Sequence, residues 1–264
     1  MWVPALCGLA LGLILNVVAD WLPQRVLQEQ DAFRPAGRRW ARWGALLVLS
    51  VGLVWYLWTS AAASLPLVEE SAAAPSHPSG GAAAPGQSAS LSLLVSMMPE
   101  LAYCSLLMLI ATIDLEHRLV PNVLILTGLI LAVGFNLLSP QPVAVRLLRD
   151  GPGLPGLAMA LLGAAVGGGL FLLVALARRN ALGAGDVKLA FLIGMLTGFP
   201  WVLQALILGI LLGGVAAAVL LLFRLRGPKH YIPYAPYLAA GAIATLLYGP
   251  QIIQWYARLV GAGG

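Results

Sequence analysis

GAGDVKLAFLIGMLTGFPWVLQALILGILLGGVAAAVLLLF, residues 183–223, carries two charged side chains, Asp186 and Lys188, and both stand in its first six positions. Beyond Lys188 the chain is apolar for long enough to cross a bilayer more than once, since one spanning helix takes about 20 apolar residues. The interruption is TGFPW at 197–201, where Pro200 lacks an amide hydrogen and breaks a helix. The stretch therefore reads as a hairpin of two spans, 183–198 and 201–223.

The same pattern recurs on either side. Further apolar runs cover about 2–19, 44–65, 91–113, 120–138, 154–177 and 234–256. Over all 264 residues, 60% are hydrophobic and 9% charged, with a mean hydropathy of +0.90, far from the balance of a water-soluble domain. The expected fold is all-α: one polytopic, membrane-embedded domain over residues 1–264 with about eight transmembrane helices. SAAAPSHPSGGAAAPGQSAS, residues 71–90, has no periodic apolar face and is expected to be a disordered extracytoplasmic loop, with His77 a plain loop residue. No internal repeat is visible.

The net charge of +5 resolves into short basic clusters between apolar runs, which is a topology signal and not the footprint of a nucleic-acid binder. Alternate loops divide the Lys and Arg residues unequally. Twelve fall on one side, among them Arg38, Arg39, Arg118, Arg179, Lys188 and Arg224, and three on the other, Arg146, Arg149 and Arg258. The positive-inside rule places the first set in the cytoplasm and both chain ends outside. No basic residue precedes the first apolar run, which reads as an uncleaved span, not a secretory signal. Cys7 and Cys104 lie in apolar runs without a CxxC partner, so neither a disulfide framework nor a thiolate metal site is expected.

Charge near a membrane is costly enough to mark function by default. Asp20, Glu29 and Asp31 sit in the basic first loop, and Glu69, Glu70 and Asp150 in outside loops, where solvation accounts for them. Glu100 lies within the third span and reads as a polar contact in the bundle. Asp114 ends that span in LIATIDLEHRLVPN, and Asp186 begins the sixth in GAGDVKLAFLIG. Span parity brings both to the cytoplasmic face on different helices. Two apposed carboxylates cannot both ionise, so one holds a proton while the other is free to activate water, and an amide can be cleaved without metal or covalent intermediate. The rival reading is local: Asp186 caps a helix N-terminus, and Asp114 finishes one helix before Pro121 opens the next. Gly183 and Gly185 are expected to allow unusual backbone angles and a close approach of substrate.

These motifs resemble those of the type IV prepilin peptidases, membrane aspartyl peptidases of the GxGD type. IDLEHRLVPN and GAGDVKLAFLIGMLTG are similar to the family's paired aspartate motifs, LGLILNVVADWLP at 11–23 to its first-span motif, and IPYAPYLAAGAIATLLYG at 232–249 to its Pro-Phe-Gly-Pro segment. The resemblance implies catalytic roles for Asp114 and Asp186, a turn at Gly183 and Gly185, and supporting or substrate-holding places for Lys188, Pro233 and Pro236. It also implies a substrate, the leader of a prepilin or pseudopilin cut at the cytoplasmic face of the cell membrane, as in type IV pilus assembly and protein secretion. No cofactor, metal or nucleic acid is expected; the lipid bilayer is.

The chain departs from the family pattern in places. Many members carry two CxxC pairs in the first cytoplasmic loop, suited to zinc, and some methylate the new N-terminus; here Asp20 to Trp43 holds no cysteine, which removes the support for methyl transfer. Trp21 replaces an Arg before Leu22 and Pro23, Asn122 follows Pro121 where an acid is common, and Tyr234 and Ala235 stand for Phe and Gly. Two other classes stay open at this point: a proton-coupled transporter, which would place ionisable residues deep along a path, and a catalytically inactive scaffold for pilus assembly.

Overall fold

The structure, a computed structural model, describes residues 3–26, 42–57, 59, 85–138, 156–177, 182–223 and 233–259. Among these the secondary structure is helical. The helices are α1 (Val3–Val26), α2 (Arg42–Leu57), α3 (Pro85–His117), α4 (Asn122–Leu138), α5 (Gly156–Ala177), α6 (Ala184–Thr197), α7 (Trp201–Leu222) and α8 (Ala235–Leu259). Helices are the expected answer for this composition, because inside hydrocarbon every backbone N–H and C=O must find a partner within its own segment. The chain is thus a helical membrane protein.

Eight helices are present among the described residues, but they are not eight equal spans. Four are long and apolar enough to cross a bilayer: Ala5–Leu22, Met98–His117, Gly156–Ala177 and Trp201–Leu222. Arg42–Leu57 and Asn122–Leu137 are apolar but shorter. The 14 residues of α6 rise only about 21 Å, against roughly 30 Å of hydrocarbon. α3 begins at Pro85, so residues 85–90 of the expected loop are helical; 71–84, with His77, lie outside the described residues. The hairpin in 183–223 is present, and Gly198 makes its turn with a φ of 72°, in the left-handed region that favours glycine.

The residues form two compact units, Met1–Ala102 and Tyr103–Gly264. In the first, α1 and α2 pack through small residues, with Gly8 and Gly12 against the α2 backbone and Ser50. The Ser50 hydroxyl donates to the Gly8 carbonyl at 2.9 Å, and the buried Asn16 amide donates across to the Trp43 carbonyl of α2 at 3.5 Å. Asp20 pairs with Arg42. Asn16 and Asp20 therefore serve the joint between two helices. Glu100 is half-buried in this unit and has a partner.

In the second unit α5 packs along α6, and α7 along α8. A Cβ added at Gly194 would fall on the backbone of Gly163, and one at Gly163 on the Gly194 carbonyl and Gly198, so α5 and α6 meet backbone to backbone. Gly209 and Gly241 do the same for α7 and α8. Close approach of this kind is how membrane helices gain packing when lipid is as apolar as their side chains. Around these seams Leu107, Ile110, Ile113, Leu189, Leu192 and Ile193 form the interior.

The two kinds of glycine should respond differently to alanine. Gly194→Ala forces a seam with no room to open and should cost about 1–3 kcal/mol as overpacking does. Gly169→Ala, where a Cβ meets nothing within 4 Å, should be neutral or gain up to about 1 kcal/mol of helix propensity. Thermal unfolding of the two variants in detergent reads the difference; equal melting temperatures would contradict the packing described.

Candidate functional site

Asp114 stands one turn before the end of α3, on the face turned inward: it is 6% exposed, while its neighbour Leu115 is 58% exposed. The helix ends because Arg118 takes a left-handed conformation, φ 53°, unusual for a residue with a side chain. In that position the Arg118 N–H donates to the Asp114 carbonyl at 2.8 Å. Pro121 then opens α4, its carbonyl accepting the Leu124 N–H at 3.1 Å. The peptide between the two helices is therefore a tight corner, Arg118 to Pro121.

Asp186 lies in the first turn of α6 and is 7% exposed. Gly183 is the N-cap and has no side chain to satisfy the free amides. The Asp186 N–H reaches the Gly183 carbonyl at 3.0 Å, and the Asp186 carboxyl group takes the Gly183 N–H in return. This is half of a capping box, with the acid at the third helical position. The capping reading of Asp186 thus has a real contact behind it, and the helix dipole at this end also favours a negative charge.

The unusual backbone angles expected at Gly183 and Gly185 are not found. Gly183 is extended, φ −73° and ψ 146°, a conformation open to any residue, and the described glycine with positive φ is Gly198. The use of Gly185 is proximity: a Cβ there would sit 3.3 Å from Val120, in the corner that follows Asp114. The start of α6 is pressed against the α3–α4 corner, and the two acids come with it. Each carboxyl group lies in a buried setting, and the charge of Asp186 acts on Asp114.

Lys188 bridges the same two segments from outside, its ammonium donating to Asn122 Oδ1 at 2.9 Å. The sequence singles out Lys188 but not its partner; Asn122 draws notice only as a departure from a common acid. The third segment is the start of α8. The Tyr234 carbonyl accepts the Tyr237 and Leu238 amides at 3.1 and 3.3 Å, and Pro236 occupies the first turn, where a missing N–H costs nothing. This start points the Ala235 N–H at the Asp114 carboxyl group. Pro233 is half-buried just ahead of it. The second carboxyl oxygen of Asp114, Oδ2, is buried without a hydrogen-bond partner.

This helical membrane protein thus gathers two buried aspartates from separate helix ends, with three helix termini around them. Residues 101–218 match the model of the type IV leader peptidase family and contain both aspartates. Among curated relatives, the prepilin leader peptidase/N-methyltransferase of Bacillus subtilis is 29% identical over 62% of this chain and 61% of its own. The proteins of the same name from Pseudomonas aeruginosa and Stutzerimonas stutzeri are 28% and 33% identical, over 59% and 57% of this chain. The match spans 51% and 49% of those two relatives, so in all three less than two thirds of the relative is covered. No solved structure matches the chain significantly.

The placing of α6 against α4 can be checked without any activity. With Cys7 and Cys104 replaced, cysteines at Asn122 and Lys188 should be joined by a short thiol crosslinker, while cysteines at Ile130 and Lys188 should not. A mass-spectrometric search for the linked peptides decides; failure of the first pair to link would refute the arrangement.

Proposed function

We propose that this protein is an aspartic endopeptidase that removes the leader of type IV prepilins or pseudopilins, with Asp114 and Asp186 as the catalytic pair. One observation carries the reading: a buried oxygen of Asp114 has no hydrogen-bond partner, on a carboxyl group that feels the charge of a second buried acid on another helix. A buried polar atom left unpaired costs on the order of 1–3 kcal/mol. At a hydrolytic site that atom has a use, because it is where water or the substrate carbonyl binds.

The chemistry follows from charge. Two carboxylates that act on each other in a buried site oppose double ionisation, so on this reading the pair shares one proton and titrates as a unit. The ionised carboxylate takes a proton from water as the water oxygen bonds to the scissile carbonyl carbon. The protonated partner gives its proton to the carbonyl oxygen, forming a neutral tetrahedral diol. Collapse breaks the C–N bond: one diol hydroxyl gives its proton to the ionised carboxylate as the new carbonyl forms, the amine leaves with the proton of the other carboxyl group, and the pair again holds one proton. The Gly183 and Ala235 amides hold the carboxyl groups in place during these transfers.

The likeness to the type IV leader peptidase family supports the substrate class, and the positive-inside count supports the side, the cytoplasmic face of the cell membrane, where the basic loops lie. A precursor whose apolar helix stays in the bilayer would present its leader there. Methyl transfer, which the relatives' names include, is not part of this reading, since the sequence from Asp20 to Trp43 has no cysteine.

Asparagine separates catalysis from capping, because its amide oxygen still accepts the Gly183 N–H but cannot carry the proton. Asp114→Asn and Asp186→Asn should each abolish cleavage of a co-expressed prepilin, seen as loss of the mobility shift at matched membrane abundance. Lys188→Met, which removes an exposed hydrogen bond, should retain cleavage. Survival of activity in either aspartate variant would leave the carboxyl groups as structural elements only.

A further inference from the structure

Contacts between the antiparallel α7 and α8 fix how far each helix reaches. Tyr234, just before α8, lies on Gly213, and Gly241 lies against Gly209. The seam ends at Gly249, where an added Cβ would come 3.1 Å from Cζ3 of Trp201 and where the Gln204 side-chain amide donates to the main-chain carbonyl at 3.2 Å. Trp201 is the first residue of α7, whose 22 residues rise about 33 Å, enough to cross the hydrocarbon core. Since α8 starts beside the acids, Gly249 stands level with the far boundary of that core.

Beyond Gly249, α8 continues from Pro250 to Leu259, and none of these residues is buried. At about 100° per residue, Gln251, Gln254 and Arg258 fall within an arc of about 60°. The rest of the circumference is aliphatic and aromatic, and its Ile253, Trp255, Tyr256 and Leu259 are between 47% and 64% exposed. The segment 251–259 contains no acidic residue.

We propose that residues 251–259 are a surface anchor, docked in the lipid headgroup layer of the leaflet opposite the acids. The apolar arc faces the acyl chains, and Arg258 faces the lipid phosphates. Standing upright past the core, the segment would hold four large apolar side chains in water. Trp and Tyr, each with an apolar body and a polar tip, gather at headgroup depth, and a helix divided in this way with a basic residue on its polar face lies in the interface. Pro250 lacks the N–H that would bond four residues back, so the helix can incline at this point. The anchor holds the far end of α8 at a set depth while its start holds the Ala235 N–H at Asp114.

Spin labels test the docking directly. In full-length protein with Cys7 and Cys104 replaced, single cysteines at Gln251, Ile253, Gln254 and Tyr256 carry a nitroxide, in vesicles of phosphatidylethanolamine and phosphatidylglycerol. All four positions are exposed, and two on each face give independent readings of one arrangement. Labels at Ile253 and Tyr256 should be relaxed by oxygen and lie about 5–10 Å below the phosphates. Labels at Gln251 and Gln254 should be relaxed by a water-soluble nickel chelate instead. Equal access of the chelate to all four would put the segment in water, and protection from both reagents would put protein over it; either result overturns the proposal. Neither readout uses cleavage, so the peptidase reading stands or falls separately.

Discussion

The backbone contact between Gly163 and Gly194 is the constraint on which the second unit depends. At 14 residues α6 is shorter than the bilayer core, and its interior residues are buried almost without exception. Such a helix cannot hold its depth by spanning; it must be held by neighbours. Gly163 and Gly167 let α5 come down onto it, the latter with its absent Cβ against the Ala190 carbonyl, and Gly128 of α4 admits Leu192 from the other side. Locked at these points, α6 can set its first turn only at one place, and that turn carries Asp186.

Placement of the acids then follows from where helices end. Burying a carboxylate in an apolar interior costs several kcal/mol unless dipoles or donors replace the lost water. Helix N-termini offer both, in amides that have no partner within the helix. Asp186 uses the N-terminus of its own helix. Asp114 stands at the C-terminal end of α3, where the dipole opposes a negative charge, and takes its donor from the start of α8 instead. The asymmetry makes the two carboxyl groups unlike, although the residues are the same, and on the peptidase reading it gives a pair that must share one proton a reason to divide roles.

Much of this is legible in the sequence, for identifiable reasons. Apolar length marks the helices, and Pro200 marks the turn between α6 and α7, because bilayer physics leaves few alternatives to a helix. The two acids stand out because so few charges compete with them. Other features are hidden because they are relations between distant residues. Nothing in a glycine announces whether it serves an angle or a contact, so Gly183 and Gly185 read as sources of backbone freedom, whereas the structure gives Gly185 a close approach to Val120. The left-handed Arg118 gives no signal, since Arg is not a residue that favours that region. The length of α3 beyond Asp114, and its start at Pro85, escape a hydropathy reading because hydropathy marks the membrane and not the end of the helix.

The donors also explain why departures from the family pattern leave the arrangement intact. Ala235 stands where the pattern has Gly, and Tyr234 where it has Phe, yet the contact on Asp114 survives because it is made by a main-chain N–H, which every residue but proline provides. The same holds at Gly183, whose amide serves Asp186 whatever side chain the position carries. A site built on backbone donors depends on the path of the chain and not on the identity of the side chains that line it. Substitution is then tolerated at 234 and 235 as long as α8 starts where it does, and what fixes that start is the pairing of Gly209 with Gly241, one to two turns into the helix seam. The positions that cannot vary freely are therefore the small residues in the seams, far from the carboxyl groups they align.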